Sequence, residues 1–226
     1  MNILAIDTST DYLSIAILKD GRTLAKFHKK SDMRHSILLV PMIDKLLKKV
    51  HLKLKNIDCF AISVGPGSFT GLRIGVTVVK GFAYALKKKV VAVPTMDAIA
   101  MNAKRHKGLI CPVLDARKKK VYACLYKSDG KKINKISKYL LLPLDALLKK
   151  TQNYDKVLFL GDAISRPGLE INFQPRPVCK ADKDWYPKAE IVAQLALKDF
   201  KKRKFVKPED LEPMYIYSKE CDITGH

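Results

Sequence analysis

The residues best suited to chemistry lie in one stretch, Gly65-Pro66-Gly67-Ser68-Phe69-Thr70-Gly71-Leu72-Arg73-Ile74-Gly75. It joins an apolar run, Cys59 to Val64, to a longer one ending at Leu86, the pattern of a buried strand, a tight turn and a helix. Backbone amides at a helix start lack intrahelical partners, so Gly67 and Ser68 could attract an anion. Arg73, in the first turn, could meet a phosphate there or form an intramolecular salt bridge. The familiar nucleotide loops do not fit. No Lys-Ser or Lys-Thr follows a glycine as a P-loop requires, and Thr70 stands where a dinucleotide fingerprint needs its third glycine. Gly71 and Gly75 fall inside the helix, where each costs roughly 0.5–1 kcal/mol relative to alanine. A phosphate on the turn, a second helix pressed against the glycines, or a structural turn feeding a closely packed helix would each account for them.

Other reactive residue types are scattered. His35, near a helix start, could contact a nucleotide or a partner, cap the helix or lie at the surface. Asp115 and Arg117 close a strand and read as a structural ion pair. The five cysteines have no C-x-x-C spacing, and most sit in apolar runs, as reduced thiols in a cytoplasmic protein do. The five histidines make no H-x-x-x-H pair, and there is no G-x-S-x-G elbow. No metal site and no catalytic residue is assigned, which argues against a self-contained metal or serine hydrolase.

The elements that must position these residues follow from periodicity. Asn2–Asp7, Leu13–Leu18 and Thr23–His28 read as an antiparallel meander with a hairpin signal at Lys19-Asp20-Gly21. Residues 31–50 read as a helix with Ser31 or Asp32 as N-cap, apolar on more than one face, with Pro41 marking a kink or a later start. After the glycine motif come a strand at Val90–Val93 and a helix from Thr95 to Lys104. A second meander is expected at Leu109–Leu114, Val121–Tyr126 and Ile133–Leu141. A helix at Pro143–Lys150, a strand at Val157–Leu160 and a helix at Pro187–Phe200 complete it. The plan β-β-β-α-β-α thus occurs twice, as two α/β lobes divided near residue 105: 1–105 and 106–226.

Bulk properties agree. A chain of 226 residues that is 47% apolar buries a real core, and no apolar run is long enough to suggest a membrane span. The formal charge of +21 suits a polyanionic partner, although the lysines come in short runs along the whole chain, as on a solvated surface.

The residues also carry a resemblance. Ile3-Leu4-Ala5-Ile6-Asp7-Thr8-Ser9-Thr10, Arg34-His35-Ser36, the glycine motif, Asp115-Ala116-Arg117 with Val121-Tyr122, and Glu212-Pro213-Met214-Tyr215 occur in that order. Together they resemble the TsaB family (also called YeaZ), whose members serve the formation of threonylcarbamoyladenosine in tRNA. The resemblance spans nearly the whole chain. It implies an α/β, two-lobe actin/Hsp70-like (ASKHA, ribonuclease H-like) fold, each lobe a mixed sheet with helices. It further implies a non-catalytic scaffold or activating subunit that binds a catalytic, TsaD-type paralogue as a heterodimer. A TsaE-type ATPase joins the larger complex, and the subunit is a homodimer when alone. The paralogue modifies N6 of the adenosine 3′ of the anticodon and holds its metal through a histidine pair that is missing from this chain. No intrinsic cofactor is implied; ATP or ADP at the partner boundary and contact with tRNA stay open, and no membrane is involved.

The resemblance assigns the partner or dimer interface to the first long helix and the helix after the glycine turn, here Leu38, Met42, Leu46, Val50, Gly71, Ile74, Gly75 and Val78. On this reading Gly75→Leu or Leu46→Asp breaks docking and leaves the monomer folded. Actin-like ATPases place D-x-G-[ST] between their first two strands. Here the turn is Asp7-Thr8-Ser9-Thr10, with Ser9 in place of the glycine, which weakens the alternative of an independent actin-like ATPase or small-molecule kinase. Asp7, Ser9, Thr10, His35, Gly67, Ser68 and Arg73 are the candidate nucleotide or anion contacts.

Overall fold

The computed structural model describes residues 1–32, 34–165, 178–179 and 184–216. The chain divides into two compact units, Met1–Ala98 with Pro187–Met214, and Ile99–Tyr186 with the residues from Tyr215 onward. The sequence reading expects the helix near Pro187–Phe200 in the second lobe; it returns to the first.

The first unit opens with the expected meander, β1 (Asn2–Asp7), β2 (Tyr12–Lys19) and β3 (Arg22–Lys30). Helix α1 (His35–Lys49) leads to β4 (Cys59–Gly65), α2 (Phe69–Leu86) and β5 (Lys89–Pro94). The strands lie in the order β3-β2-β1-β4-β5, with β1 antiparallel to β2 and parallel to β4. Because side chains alternate across a strand, the sheet has two unlike faces. Leu4, Ile6, Ile15, Phe60 and Ile62 face α1 and α2 in one core cluster. Ile3, Ala5, Ala16 and Ala61 face the other way.

That second face explains the return of the last helix, α5 (Ala189–Lys201). Its Ala189, Val192, Ala193 and Ala196 are buried on the small-residue face of the first sheet. Two alanine-rich surfaces let helix and sheet backbones approach closely. The Ser14 hydroxyl accepts the Ala189 amide at 2.9 Å, satisfying one of the orphan donors of the helix start.

Helix α1 begins later than Ser31 or Asp32. The Ser31 amide and hydroxyl both donate to the Asp11 carbonyl, at 2.9 and 3.1 Å, which ties Ser31 to the β1–β2 turn, and the N-cap position falls at Arg34 with no side-chain cap. Pro41 lies inside α1 on its exposed side. Helix α2, with 18 residues, is the one helix among the described residues long and apolar enough to cross a membrane by length and composition. No membrane span is expected from the sequence, where Arg73 and Lys80 interrupt this apolar stretch. Its buried side, Leu72, Val76, Val79 and Ala83, packs against the sheet.

Helix α3 (Thr95–Ala100) begins in the first unit, and the second continues with β6 (Lys107–Asp115), β7 (Lys120–Ala123), β8 (Tyr126–Asp129), β9 (Ile133–Lys135) and β10 (Leu140–Pro143). Helix α4 (Leu144–Thr151), β11 (Val157–Leu160) and β12 (Val178–Cys179) follow. The order is β10-β7-β6-β11-β12, with β8 also on β6 and β9 on β8. The expected strand Val121–Tyr126 is split because the Leu125 amide leaves the ladder for the Ser137 hydroxyl, at 2.9 Å. Asp115 accepts the Arg117 amide at 2.9 Å, and its own amide donates to Asp162 at 3.0 Å, so it organises a turn. Cys59, Cys111 and Cys124 are buried free thiols, and burial pushes the Cys59 thiol up to about 12.

Candidate functional site

Two candidate anion-binding turns meet in the first unit, and they satisfy each other. The turn after β1 carries Asp7, Thr8, Ser9 and Thr10, all buried. It folds onto the start of α2. The Ser68 amide donates to the Ser9 carbonyl at 2.7 Å, and the Thr8 hydroxyl donates to the Gly71 carbonyl at 2.7 Å. Ser68 caps α2 itself, its hydroxyl accepting the Gly71 amide at 3.2 Å while its carbonyl accepts the Leu72 amide at 2.9 Å. The amides of Ser68, Gly71 and Leu72 are thus taken by the chain's own oxygens.

The glycines are bare for this contact. A Cβ on Gly67 would overlap the Ser9 carbonyl oxygen, one on Gly71 the Thr8 carbonyl oxygen, and one on Gly75 the Thr8 hydroxyl. Neither a phosphate nor a second helix occupies that space; the β1–β2 turn does. This corrects the assignment of Gly71 and Gly75 to an interface, since both are buried inside their own unit. Leu46 is likewise a core residue, 6% exposed in the cluster beneath α1. Gly75→Leu or Leu46→Asp therefore attacks the fold before it attacks any partner.

Gly65 serves the same turn. Its φ of +119° is a conformation that other residues resist, and a Cβ there would lie 2.7 Å from the Met214 carbonyl oxygen. The Met214 amide donates to the Val64 carbonyl at 2.6 Å. The Glu212-Pro213-Met214 segment thus locks down the turn from the other end of the chain.

The remaining candidates separate into two sets. Burial pushes the Asp7 carboxyl up to about 7, partly offset by Ser63 and by the amide and hydroxyl of Ser9, both at 3.1 Å. It shapes the turn. The Thr10 hydroxyl accepts the Tyr12 amide at 3.3 Å. His35 is buried, with Nδ1 3.1 Å from the Ser31 hydroxyl and Nε2 3.4 Å from the Tyr12 carbonyl, and so ties α1 to the β1–β2 turn. Ser68 and Arg73 are exposed, and the Arg73 guanidinium stacks 3.8 Å above the Phe69 ring.

Among the described residues, the most exposed large apolar side chains lie on α1 and α2, with Leu24, Ile136 and Tyr154 less exposed elsewhere. Ile37 is 68% exposed and Tyr84 74%, with Val40 and Phe69 also open to solvent. Leu38, Met42, Val50, Ile74 and Val78, five of the expected interface residues, are half-buried beside them. Nothing lies within 4 Å of where a Gly81 side chain would start, so α2 is bare outward at that point. Sequence reasoning missed Ile37, Val40, Phe69 and Tyr84. The signal was the apolar character of α1 on more than one side, which a core-facing helix does not need.

The chain as a whole is similar to known proteins. The family model for TsaD, tRNA N6-adenosine threonylcarbamoyltransferase, matches residues 28–186. The tRNA threonylcarbamoyladenosine biosynthesis protein TsaB of Bacillus subtilis is 34% identical over 162 residues, covering 71% of this chain and 71% of that protein. The chain belongs to the TsaB family. The Escherichia coli TsaB is 29% identical over 96% of this chain and 94% of its own length. YeaZ from Pseudomonas aeruginosa superposes with a TM-score of 0.78 and 28% identity, covering 95% of this chain and 99% of that one. The actin/Hsp70-like fold class implied by the motifs is therefore that of the TsaB family structure. Among the described residues no group of three or more His, Cys, Asp or Glu is placed to hold a metal ion.

Proposed function

We propose that this protein acts in the formation of N6-threonylcarbamoyladenosine in tRNA as a non-catalytic subunit. It docks a TsaD-type transferase paralogue through the outer sides of α1 and α2. One observation carries the reading: large apolar side chains, Ile37 and Tyr84 foremost, stand open to solvent on a helix pair whose inner side already fills a core. The length and apolarity that make α2 resemble a membrane span follow from having two apolar sides, one for the sheet and one for a partner. Burial of such a face stabilises association by roughly 25 cal/mol per Å² before the costs of ordering.

In the absence of the paralogue the same face pairs with a second copy. A TsaE-type ATPase joins the larger assembly, in the cytoplasm. ATP or ADP at the partner boundary would meet this chain at the exposed Ser68 and Arg73, and the closed β1–β2 turn counts against an independent ATPase or small-molecule kinase. The test is co-purification of the full chain with the TsaD-type paralogue, with and without ATP, alongside measurement of the modified adenosine in a strain lacking this gene. A stable complex and loss of the modification are expected. Unchanged modification, with no second copy of the gene present, would sink the proposal.

A further inference from the structure

The end of the first sheet opposite the glycine turn gathers charge that the sequence disperses. The basic runs Lys87-Lys88-Lys89 and Lys201-Lys202-Arg203-Lys204 are far apart in the chain. An antiparallel bridge between Val90 and Val206, with the Val206 amide donating to the Val90 carbonyl at 2.9 Å, brings them side by side. Beside this bridge opens a groove of about 810 Å³. Lys89, Lys201 and Arg203 line it, and Phe200 and Phe205 meet edge to face within it at 4.9 Å between centroids. Lys89 Nζ lies 5.3 Å from the centroid of the Phe205 ring. The groove's one carboxylate, Asp20, is ion-paired with the Met1 ammonium, so it does not neutralise the lysines and arginine.

We propose that this groove binds a single-stranded RNA segment. Lys89, Lys201 and Arg203 meet its phosphates, and a base lies against the aromatic floor. Phosphates draw on lysine and arginine without regard to sequence, and any base can stack on an aromatic ring. The volume falls within the range of pockets that enclose small ligands, enough to admit a base and its neighbouring phosphates. An acidic peptide would use the charge and leave the rings idle. An anionic lipid surface would need apolar groups that project, whereas Phe200 and Phe205 are recessed and half-buried. The choice of RNA over DNA rests on the proposed role in tRNA modification. None of the residues that line the groove belongs to α1 or α2, and the isolated protein suffices to test it.

The experiment titrates the full chain into a fluorescein-labelled unstructured 12-nucleotide RNA and reads anisotropy at low and moderate salt. The double variant Lys201→Glu/Arg203→Glu is expected to bind about tenfold more weakly. Its salt slope should be shallower by about 1.4, as for two lost phosphate contacts on a single strand. Lys149→Glu/Lys150→Glu, an equal charge change on α4, should stay within about twofold. Crosslinking of a 4-thiouridine RNA should label the peptide spanning Leu197 to Val206. Equal weakening by both double variants would mean diffuse attraction and overturn the site. So would displacement of the RNA by millimolar ATP, which would make the occupant a mononucleotide, or no binding at low salt. Pull-down of the TsaD-type paralogue by the same variants reads the docking proposal separately, and it should be unaffected.

Discussion

Thr8 and Gly71 are held together from both sides: the Thr8 hydroxyl donates to the Gly71 carbonyl at 2.7 Å, and the Thr8 carbonyl oxygen occupies the place where a Gly71 side chain would begin. A motif that reads as a phosphate cradle is filled by the chain's own turn. Gly71→Ala should therefore cost about 3 kcal/mol, because a backbone carbonyl cannot yield as a flexible side chain can. Gly81→Ala, in the same helix but facing open space, should stabilise the monomer by about 0.5–1 kcal/mol. Urea denaturation of both variants checks the contrast; equal effects would refute the wedge.

The outer face of α1 and α2 should separate binding from folding. Ile37→Asp and Tyr84→Asp should each leave monomer stability within about 0.5 kcal/mol, because both side chains are exposed. Each should weaken association with the TsaD-type paralogue, or self-association, by at least about tenfold, or about 1.4 kcal/mol. Light scattering after size exclusion, together with calorimetric titration, would measure both. Leu46→Asp is the contrasting case: it should unfold the first unit.

Asp7 should give stability a pH dependence opposite to that of most carboxylates. Its folded pKa is raised by burial to about 7, above the ordinary value of 3.8. The folded state thus holds a proton that the unfolded state releases. Its favourable contribution is complete below pH 3.8 and is lost as pH rises towards 7, at up to about 1.4 kcal/mol per pH unit. The difference between wild type and Asp7→Asn, measured by urea denaturation from pH 4 to 8, isolates it. A flat difference would contradict the shift.

The seat of α5 predicts a third stability contrast. Ala193→Leu, against the small-residue face of the sheet, should cost about 1–3 kcal/mol by overpacking. Gln194→Leu, one residue on and exposed, should change stability by no more than about 0.5 kcal/mol. Indistinguishable midpoints for the two would remove α5 from the sheet.

Much of the fold was legible because it is written locally. The short apolar runs in Asn2–Asp7 and Tyr12–Lys19 mark strands buried on both faces, and Lys19-Asp20-Gly21 marks their connection to β3. The site was less legible. His35 reads as a surface or capping histidine until Ser31 is seen bound to Asp11 instead of to a helix amide. Leu46 and Ile37 look alike in sequence, yet one is core and the other is exposed, since a helix apolar on several sides does not say which side its sheet takes.

The sequence alone determined the order of elements, the glycine turn and the family motifs, all of which depend on neighbours along the chain. The tertiary structure decided what the turn is for. Gly71 is bare because of Thr8, 63 residues earlier, and Gly65 because of Met214 near the other end of the chain. It also decided that α5 belongs to the first unit, and that two distant lysine runs share one groove. A glycine records only that something comes close; which part of the molecule does so is fixed when the sheet brings remote segments together.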